Sequence, residues 1–222
     1  MNIIIQARCS STRLPNKVIT RVNRFTILEH VINRVLSINM NKNIYVATSD
    51  QEEDDQIESI INKIDNIKLF RGNLNDVYDR FSKLIQLYNL NNFIRISGDS
   101  PMIDPAIIIN CYDLYMKNNY DLVTNKHPRT FPTGQTVEVI NSNKFLESKK
   151  YISSKILKEH VTLQMYENNY SILNFFCQTD LSKFNLAIDN QNDLEKFIKF
   201  NNFNEDNNLE LKNIIEFYSK NE

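Results

Sequence analysis

The feature that most constrains the fold is a regular alternation of short apolar runs and helical repeats in the first half of the sequence. The apolar runs predict strands at residues 2–5, 44–48, 67–70 and 93–97. Between these runs, apolar side chains recur at the spacing of one face of an amphipathic helix, and Thr26 with Glu29 three residues later predicts a capping box at the start of the first helix. Short loops without a hairpin signal join the elements. This alternation is typical of a three-layer α/β domain with a mainly parallel central sheet.

The second half of the sequence is more varied, but it contains no linker, repeat or low-complexity segment. Its patterns predict strands at residues 121–124, 136–140, 171–177 and 184–188, and helices at 143–149, 154–167 and twice more near the end. A chain of 222 residues can hold one large α/β domain or two small ones. Because nothing marks a boundary, we predict a single domain over residues 1–222.

Composition excludes several classes of function. The 26 basic and 27 acidic residues leave a formal charge of -1, so no basic face for a nucleic-acid partner is expected. The sequence has no run of eighteen apolar residues, and its first apolar run is too short for a signal peptide, so we expect no membrane partner. Three cysteines without metal-type spacing indicate free thiols, as in the reducing cytoplasm.

The first loop carries three cations directly after the first predicted strand. Arg8, Arg13 and Lys17 are separated by small hydroxyl residues, and guanidinium forks, an ammonium and loop amides together suit a triphosphate. The alternative interpretation is a solvated basic loop. In parallel sheets the functional crevice lies beyond the carboxyl ends of the strands, and this loop occupies that edge.

Two acidic residues end apolar runs in the same manner. Asp99 follows Gly98 after the fourth predicted strand, and Asp189 follows the run at residues 184–188. One or two carboxylates together with phosphate oxygens are the usual ligands of Mg²⁺. Asp99 could instead cap the following turn, and Asp189 could be the N-cap of the helix beginning near Asn192.

Glycine is scarce, with only three in the chain. Gly72, Gly98 and Gly134 each stand in a short polar loop rather than inside a periodic segment. In such a chain the remaining glycines are expected to mark positions where the backbone could not accept a Cβ atom.

A series of motifs, taken together, resembles the sugar cytidylyltransferases, which include the acylneuraminate and 3-deoxy-manno-octulosonate enzymes. The similarity is closest to the subgroup called spore coat polysaccharide biosynthesis protein F. It runs in order through nearly the whole chain. The matching segments are residues 4–17, 28–31, 46–50, 70–81, 95–105, 129–139, 159–162 and 186–189.

The resemblance implies a nucleotide-diphospho-sugar transferase (GT-A-like) fold, with residues 1–120 as the nucleotide-binding half and 121–222 as the sugar-binding and dimerisation half. It also implies transfer of a cytidylyl group from CTP to a sugar or acidic sugar, with release of pyrophosphate, in surface polysaccharide or glycan synthesis. A homodimer is implied as well, although the periodicity marks no interface.

Residue roles follow from the same resemblance. Arg8, Lys17 and Asp99 are expected to be catalytic, and Asp99 and Asp189 to bind Mg²⁺. The expected nucleotide contacts are Ala7, Arg8, Arg13, Lys17, Asp76 and Ser97.

The second half is expected to supply the acceptor pocket. Arg129 and His160 would bind a carboxylate or phosphate of the acceptor, Glu138 would orient its hydroxyls, and Asn125 is a further expected contact. Without the resemblance, Arg129 could be a surface cation and His160 a helix residue bonded to a nearby carbonyl.

Three alternatives remain open from the sequence. A guanylyltransferase would use GTP and a sugar 1-phosphate, and one sequence does not separate cytosine from guanine. A glycosyltransferase on the same fold would typically carry an Asp-x-Asp motif, which residues 99–104 do not fit. A non-catalytic nucleotide-binding regulator is the third, and the joint presence of Arg8, Lys17 and Asp99 argues against it.

Two positions depart from the family signature, which usually has glycine at each. Asn16 and Asn23 occupy these positions here. Asparagine tolerates left-handed backbone better than other non-glycine residues, so both turns are expected to keep their shape.

Overall fold

A computed structural model of the chain describes residues 1–203 and 210–220. Within them the strands are β1 (Asn2–Gln6), β2 (Arg21–Val22), β3 (Phe25–Thr26), β4 (Asn43–Ser49), β5 (Ile67–Gly72), β6 (Asn92–Ser97), β7 (Leu122–Thr124), β8 (Glu138–Asn141) and β9 (Ile172–Asn174). The helices are α1 (Ile27–Leu36), α2 (Asp55–Ile61), α3 (Val77–Leu87), α4 (Pro105–Lys117), α5 (Ser142–Glu147), α6 (Lys155–Glu159), α7 (Leu163–Tyr166), α8 (Gln191–Phe203) and α9 (Leu211–Lys220). Short 3₁₀ turns lie at Lys17–Ile19, Glu52–Asp54 and Ser148–Tyr151. In these two described ranges, none of the helices has both the length and the apolar character that a membrane crossing requires.

Seven of these strands form one sheet in the order β5-β4-β1-β6-β8-β7-β9. β5, β4, β1 and β6 are parallel to one another, and β9 is parallel to β7. β8 runs antiparallel to both of its neighbours, β6 and β7. The predicted mainly parallel sheet is therefore confirmed, and strands from both halves of the sequence share it.

Helices cover both faces of the sheet, because successive side chains of a strand point to opposite faces. Ile3 and Ile5 of β1 pack with apolar residues of α1, α2 and α4 on one face. Ile4 packs with residues of α3, α5 and α7 on the other face. This arrangement confirms the predicted three-layer α/β architecture.

A small hairpin precedes α1, although no hairpin signal is visible in the sequence. β2 and β3 pair in an antiparallel manner around a turn in which Asn23 has a φ of 55°. The hairpin leads into the N-cap of α1, where Thr26 and Glu29 form the predicted reciprocal capping box. The hairpin is a separate two-stranded sheet that joins the first loop to the helix.

The predicted strand at residues 184–188 is wrong. The segment is extended, but it forms only an isolated bridge between Thr133 and Asn185. Its backbone bonds to the loop before β8 through Thr133, whose N–H donates to the Phe184 carbonyl at 3.0 Å. Its apolar side chains form a third cluster with α8 and α9, so burial against these helices explains the apolar pattern.

Two other predictions of the second half need correction. The helix predicted at residues 154–167 is broken into α6 and α7, because His160 leaves helical geometry with φ −90° and ψ 73°. The strand predicted at residues 136–140 is β8, which begins at Glu138 and in which Glu138, Val139 and Ile140 are all buried. Burial on both faces follows from the position of β8 inside the sheet.

Candidate active site

The first loop and the loop after β6 are in direct backbone contact at the carboxyl edge of the sheet. The Gly98 N–H donates to the Gln6 carbonyl at 2.8 Å. A Cβ atom at Gly98 would lie 2.8 Å from the Ala7 Cβ and 3.0 Å from the Gln6 carbonyl oxygen. Glycine is therefore required here by the close approach of the two loops.

A buried carboxylate that sequence reasoning missed holds the first loop against β4. Asp54 accepts hydrogen bonds from the Cys9 N–H at 2.7 Å and the Ser49 N–H at 3.0 Å. Burial opposes its ionisation, but these bonds outweigh burial and hold the pKa of Asp54 below its usual range. In the sequence, Asp54 is one of several acids at a helix start, where the helix dipole alone explains them.

Cys9 contributes packing rather than nucleophilic chemistry. Burial, reinforced by the adjacent Asp54, raises the pKa of the Cys9 thiol to about 12. The thiol is therefore protonated at neutral pH, and the buried Cys9 fills space in the core.

The turn before Lys17 has left-handed geometry. Asn16 has φ 61° and ψ 14°, and a 3₁₀ turn begins at the next residue. This bend directs Lys17 inward, where only 8% of the residue is exposed. Asparagine therefore keeps the turn that the family signature usually builds with glycine.

Lys17 joins the two acidic residues that the sequence singled out. Its Nζ donates to Asp99 Oδ2 at 2.6 Å, to the Ile188 carbonyl at 2.6 Å and to Asp189 Oδ1 at 3.3 Å. The Ile188 N–H also donates to the Asp99 carbonyl at 2.9 Å. The fold thus brings together two carboxylates that lie 90 positions apart in the sequence.

Neither carboxylate has the capping role that the alternative interpretations gave it, Asp99 at the following turn and Asp189 at the start of a helix. Asn190 caps α8, since its Oδ1 accepts from the Asp193 N–H at 3.1 Å, which leaves the Asp189 side chain free for Lys17 and Arg13. The Asp99 Oδ1 accepts from the Ser97 and Ser100 hydroxyls, at 2.7 and 3.3 Å. Ser97 therefore contacts the carboxylate of Asp99.

The three cations of the first loop lie on different walls of one cleft. Arg13 is largely exposed and pairs with Asp189 at 2.8 Å. Arg8 pairs with Glu159 of α6 at 2.7 Å, on the opposite wall. The cleft has a volume of about 490 Å³ and is lined by Gln6, Ala7, Arg8, Ser10, Ser11, Thr12, Arg13, Lys17, Val18, Ser97, Asp99, Glu159 and Asp189.

A second cleft of about 400 Å³ shares Arg8 and Glu159 with the first. Its other lining residues are Asn73, Leu74, Asn75, Asp76, Lys155 and Lys158. Asp76 is the N-cap of α3, and its other oxygen pairs with Lys158 at 3.1 Å. The two clefts together run from Arg13 and Lys17 to the start of α3.

A third cleft of about 230 Å³ lies on the other side of the acidic pair. It is lined by Arg95, Ser97, Asp99, Ser100, Lys126, Thr133, Gly134, Thr136, Ala187 and Asp189. Gly134 has φ +91°, and a Cβ atom there would lie 2.7 Å from the Ala187 nitrogen. The loop before β8 can therefore pack against the segment before Asp189 only with glycine at this position.

Glu138 lies beneath this third cleft and is fully buried. Its carboxylate accepts from Arg95 at 2.6 Å, Tyr166 at 2.7 Å and Thr162 at 2.8 Å. Burial alone would raise the pKa of Glu138, but Arg95 and then Lys126, 4.0 Å away, lower it to about 2. The predicted contact of Glu138 with acceptor hydroxyls does not fit this burial, because protein donors occupy both oxygens.

The other predicted acceptor residues are placed differently from one another. Asn125 is buried, with its amide bonded to the Gln135 carbonyl and the Val137 N–H, so it shapes the loop. Arg129 donates to Thr136 Oγ1 at 3.2 Å, behind the third cleft. His160 is exposed, and its ring hydrogen-bonds to no residue in the described ranges. Asn125 and Arg129 therefore both brace the loop before β8, while His160 has no hydrogen bond to either of them within the described ranges.

Sequence reasoning missed Arg95, Lys126 and Glu159, which line the clefts. Arg95 precedes Asp99 by four residues inside an otherwise apolar strand, and this is a signal that could have been used. Lys126 and Glu159 carry no comparable signal, because a charged residue in a polar loop or on a short helix is ordinary.

Comparisons with known proteins agree with this architecture and with the sequence resemblance. A family model described as cytidylyltransferase matches residues 2–221. The chain is 30% identical over 222 residues to the uncharacterized protein MJ1063 of Methanocaldococcus jannaschii, covering 98% of this chain and 90% of that protein. It is 33% identical over 176 residues to the spore coat polysaccharide biosynthesis protein SpsF of Bacillus subtilis, covering 77% and 70% of the two chains.

Among solved structures, a cytidylyltransferase from Leptospira borgpetersenii superposes with a TM-score of 0.92 at 28% identity, covering 99% of this chain and 94% of that one. The superposition therefore covers nearly the whole chain. The chain belongs to the cytidylyltransferase family.

Proposed function

We propose that this chain transfers a cytidylyl group from CTP to an acidic sugar and releases pyrophosphate, in surface polysaccharide or glycan synthesis. The observation that carries the proposal is the contact of Lys17 with both Asp99 and Asp189 beside the cationic first loop. Charge neutralisation and positioning are the main requirements of attack at phosphorus, and this edge of the sheet supplies both.

The cations of the first loop would hold the triphosphate. Arg8, Arg13 and Lys17 bind the β- and γ-phosphates and offset charge on the departing pyrophosphate. Arg8 has to exchange Glu159 for phosphate, because the two side chains are paired at 2.7 Å. The second cleft, next to Arg8 and Asp76, takes the nucleoside.

The acidic pair fits a hard divalent cation. Asp99 and Asp189 offer carboxylate oxygens only, and in the described part of the chain no cluster of three or more His, Cys, Asp or Glu residues could form a closed metal site. Two carboxylates completed by phosphate oxygens and water are an ordinary set for Mg²⁺. Bound Mg²⁺ would supply charge neutralisation at the phosphates.

The acceptor would occupy the third cleft, on the far side of the acidic pair from the triphosphate cations. Its hydroxyl oxygen then forms the new bond to the α-phosphorus while the bond between the α-phosphorus and the bridging oxygen breaks. The hydroxyl proton is lost and pyrophosphate leaves. Thr133 and Thr136 line this cleft with hydroxyl groups that suit a sugar.

The charges around the third cleft favour an anionic acceptor. Arg95 and Lys126 line it, and Arg129 lies behind Thr136, while Glu138 is the carboxylate that these three cations surround. Asp99 and Asp189 also line this cleft, but Lys17 and the proposed divalent cation would offset their charge. The three cations then exceed Glu138, the remaining carboxylate, and an acceptor carboxylate or phosphate would balance them. Lys126 is the best placed of the three, because its Nζ is partly exposed and rests over the Tyr166 ring at 5.2 Å.

A pyrophosphate-release assay with purified protein and Mg²⁺ tests the proposal. Each of the four nucleoside triphosphates is combined with an octulosonic acid, a nonulosonic acid, a sugar 1-phosphate and a neutral hexose. We expect release with CTP and an acidic acceptor. Release with GTP and a sugar 1-phosphate would instead establish the guanylyltransferase, and CTP binding without release from any acceptor would establish a regulator.

A variant pair tests the residue assignment. Asp99→Asn should nearly abolish turnover and leave the fold intact, as measured by circular dichroism. Asp50→Asn is the matched control, because Asp50 is exposed at the end of β4 on the same edge of the sheet. Full activity of Asp99→Asn would refute the assignment of Asp99 to the metal.

A further inference from the structure

A buried arginine supports the wall of the second cleft. Arg80 lies in the first turns of α3 and is fully buried. Its Nη2 donates to the carbonyls of Asn73 at 2.7 Å and Leu74 at 3.3 Å, and both residues line the cleft. Its side chain also packs against the end of β5, where a Cβ at Gly72 would lie 3.2 Å from the Arg80 Cγ.

The charge of Arg80 is not compensated by an ion pair. Among the described residues no carboxylate lies within salt-bridge distance of it, and its Nε and Nη1 are buried without a hydrogen-bond partner. Burial lowers the pKa of Arg80 to about 10, against the attraction of Asp54, so the guanidinium remains charged at neutral pH. A buried cation without a paired carboxylate is destabilising in a protein interior.

The position of this charge connects it with the nucleotide. Arg80 donates to Asn73 and Leu74, which line the second cleft together with Arg8, so both guanidinium groups lie beside this cleft. Arg8 lines both the first and the second cleft. A polyanion bound by Arg8 would therefore also be attracted by the charge of Arg80. Solvent screens this attraction weakly, because the Arg80 guanidinium is out of contact with water.

We propose that Arg80 is a positioning residue for the nucleotide, which also supplies a buried positive charge that the triphosphate compensates. Its bonds to Asn73 and Leu74 fix the wall of the nucleoside pocket, and its unpaired charge strengthens binding in proportion to the phosphate charge. This role rests on the proposed function, since it assumes that the first two clefts hold CTP.

Calorimetric titration of the full chain with CTP and, separately, with uncharged cytidine tests this inference. The variants are Arg80→Met, which removes charge and hydrogen bonds, and Arg80→Lys, which keeps the charge. Lys83→Met is the matched control, because Lys83 lies on the exposed face of the same helix and also loses one positive charge. Thermal unfolding of each variant verifies that it is folded.

For Arg80→Met we expect the Kd for CTP to rise about tenfold more than the Kd for cytidine, a difference of about 1.4 kcal/mol. Arg80→Lys should recover most of the CTP affinity, and Lys83→Met should bind as the wild type does. If Arg80→Met does not fold, the Arg80→Lys variant alone tests the role of the charge in CTP binding. Near wild-type affinity for CTP supports this role, and an equal loss of affinity for CTP and cytidine overturns it.

Equal losses for the two ligands in Arg80→Met would overturn the role of the charge and leave Arg80 as a positioning residue only, and unchanged CTP affinity would overturn both roles. Either result leaves the proposed function intact. Failure of the wild type to bind CTP would overturn the proposed function and, with it, this role of Arg80.

Discussion

Lys17 and a divalent cation would bind the same carboxylate oxygens. This competition predicts that the loss of Lys17 strengthens metal binding. Lys17 Nζ lies 2.6 Å from Asp99 Oδ2 and 3.3 Å from Asp189 Oδ1. An ammonium in these contacts opposes the approach of a second cation. Lys17→Met should therefore improve the binding of free metal while it abolishes turnover.

The magnitude follows from the burial of the three groups. At an effective dielectric constant of about 20, two unit charges about 3 Å apart attract by on the order of 5 kcal/mol, before desolvation is subtracted. The side chains are 9%, 22% and 24% exposed for Lys17, Asp99 and Asp189, so solvent screens the pairs only in part. After desolvation, a net effect of about 1.4 to 2.8 kcal/mol remains, which is a ten- to hundredfold change in affinity.

The assay is titration of Mn²⁺ into nucleotide-free protein, followed by electron paramagnetic resonance of the unbound ion. Lys17→Met should bind Mn²⁺ at least about tenfold tighter than the wild type. The double variant Lys17→Met, Asp99→Asn is the control and should lose the gain. Equal or weaker Mn²⁺ binding by Lys17→Met would refute the reasoning, because Lys17 would then not compete for these carboxylates.

Three further predictions concern stability. Gly98→Ala should lower the free energy of unfolding, measured in urea, by about 1–3 kcal/mol, because the new Cβ atom would clash with Ala7. An unchanged midpoint of urea unfolding would contradict the close approach of Gly98 to Ala7. Asn16→Ala should cost about 1 kcal/mol and Asn16→Gly nothing, measured in the same way, since the backbone is left-handed there; equal losses would argue against this turn. Because the pKa of Glu138 is lowered from 4.5 to about 2, its ionised form contributes stability above about pH 4.5 that is lost as the pH falls towards 2. Glu138→Gln should remove this pH dependence, which amounts to roughly 3 kcal/mol in the free energy of unfolding measured in urea between these pH values. An unchanged pH dependence would contradict the lowered pKa of Glu138.

The sequence was sufficient for those parts of the fold that depend on local pattern. Strand and helix periods predict β1, β4, β5 and β6 and the helices between them, because each apolar face packs directly against a neighbouring layer. The capping box of α1 was predicted for the same reason, since Thr26 and Glu29 are three residues apart. The structure of the run at residues 184–188 was predicted wrongly, because an apolar segment that packs against α8 and α9 has the same pattern as a strand.

The candidate site shows the same division. The first loop and Asp99 were identified from their place after strands, and parallel topology then brings them to one edge. The geometry of Glu138 could not be predicted, because its burial depends on Thr162 and Tyr166, which lie more than twenty residues away. Asp54 was missed for a similar reason, since its partner Cys9 belongs to a distant loop.

The antiparallel direction of β8 has a consequence for how this architecture can change. β7 ends at Thr124 and β8 begins at Glu138, and these two residues are paired, so residues 125–137 leave and re-enter the sheet at the same edge. Insertions, deletions and exchanges in this loop would reshape the wall beside Asp99 without disturbing the register of any strand. Under the proposed function, such changes would alter the acceptor pocket, while the first two clefts, which lie at the ends of four parallel strands, would keep their shape.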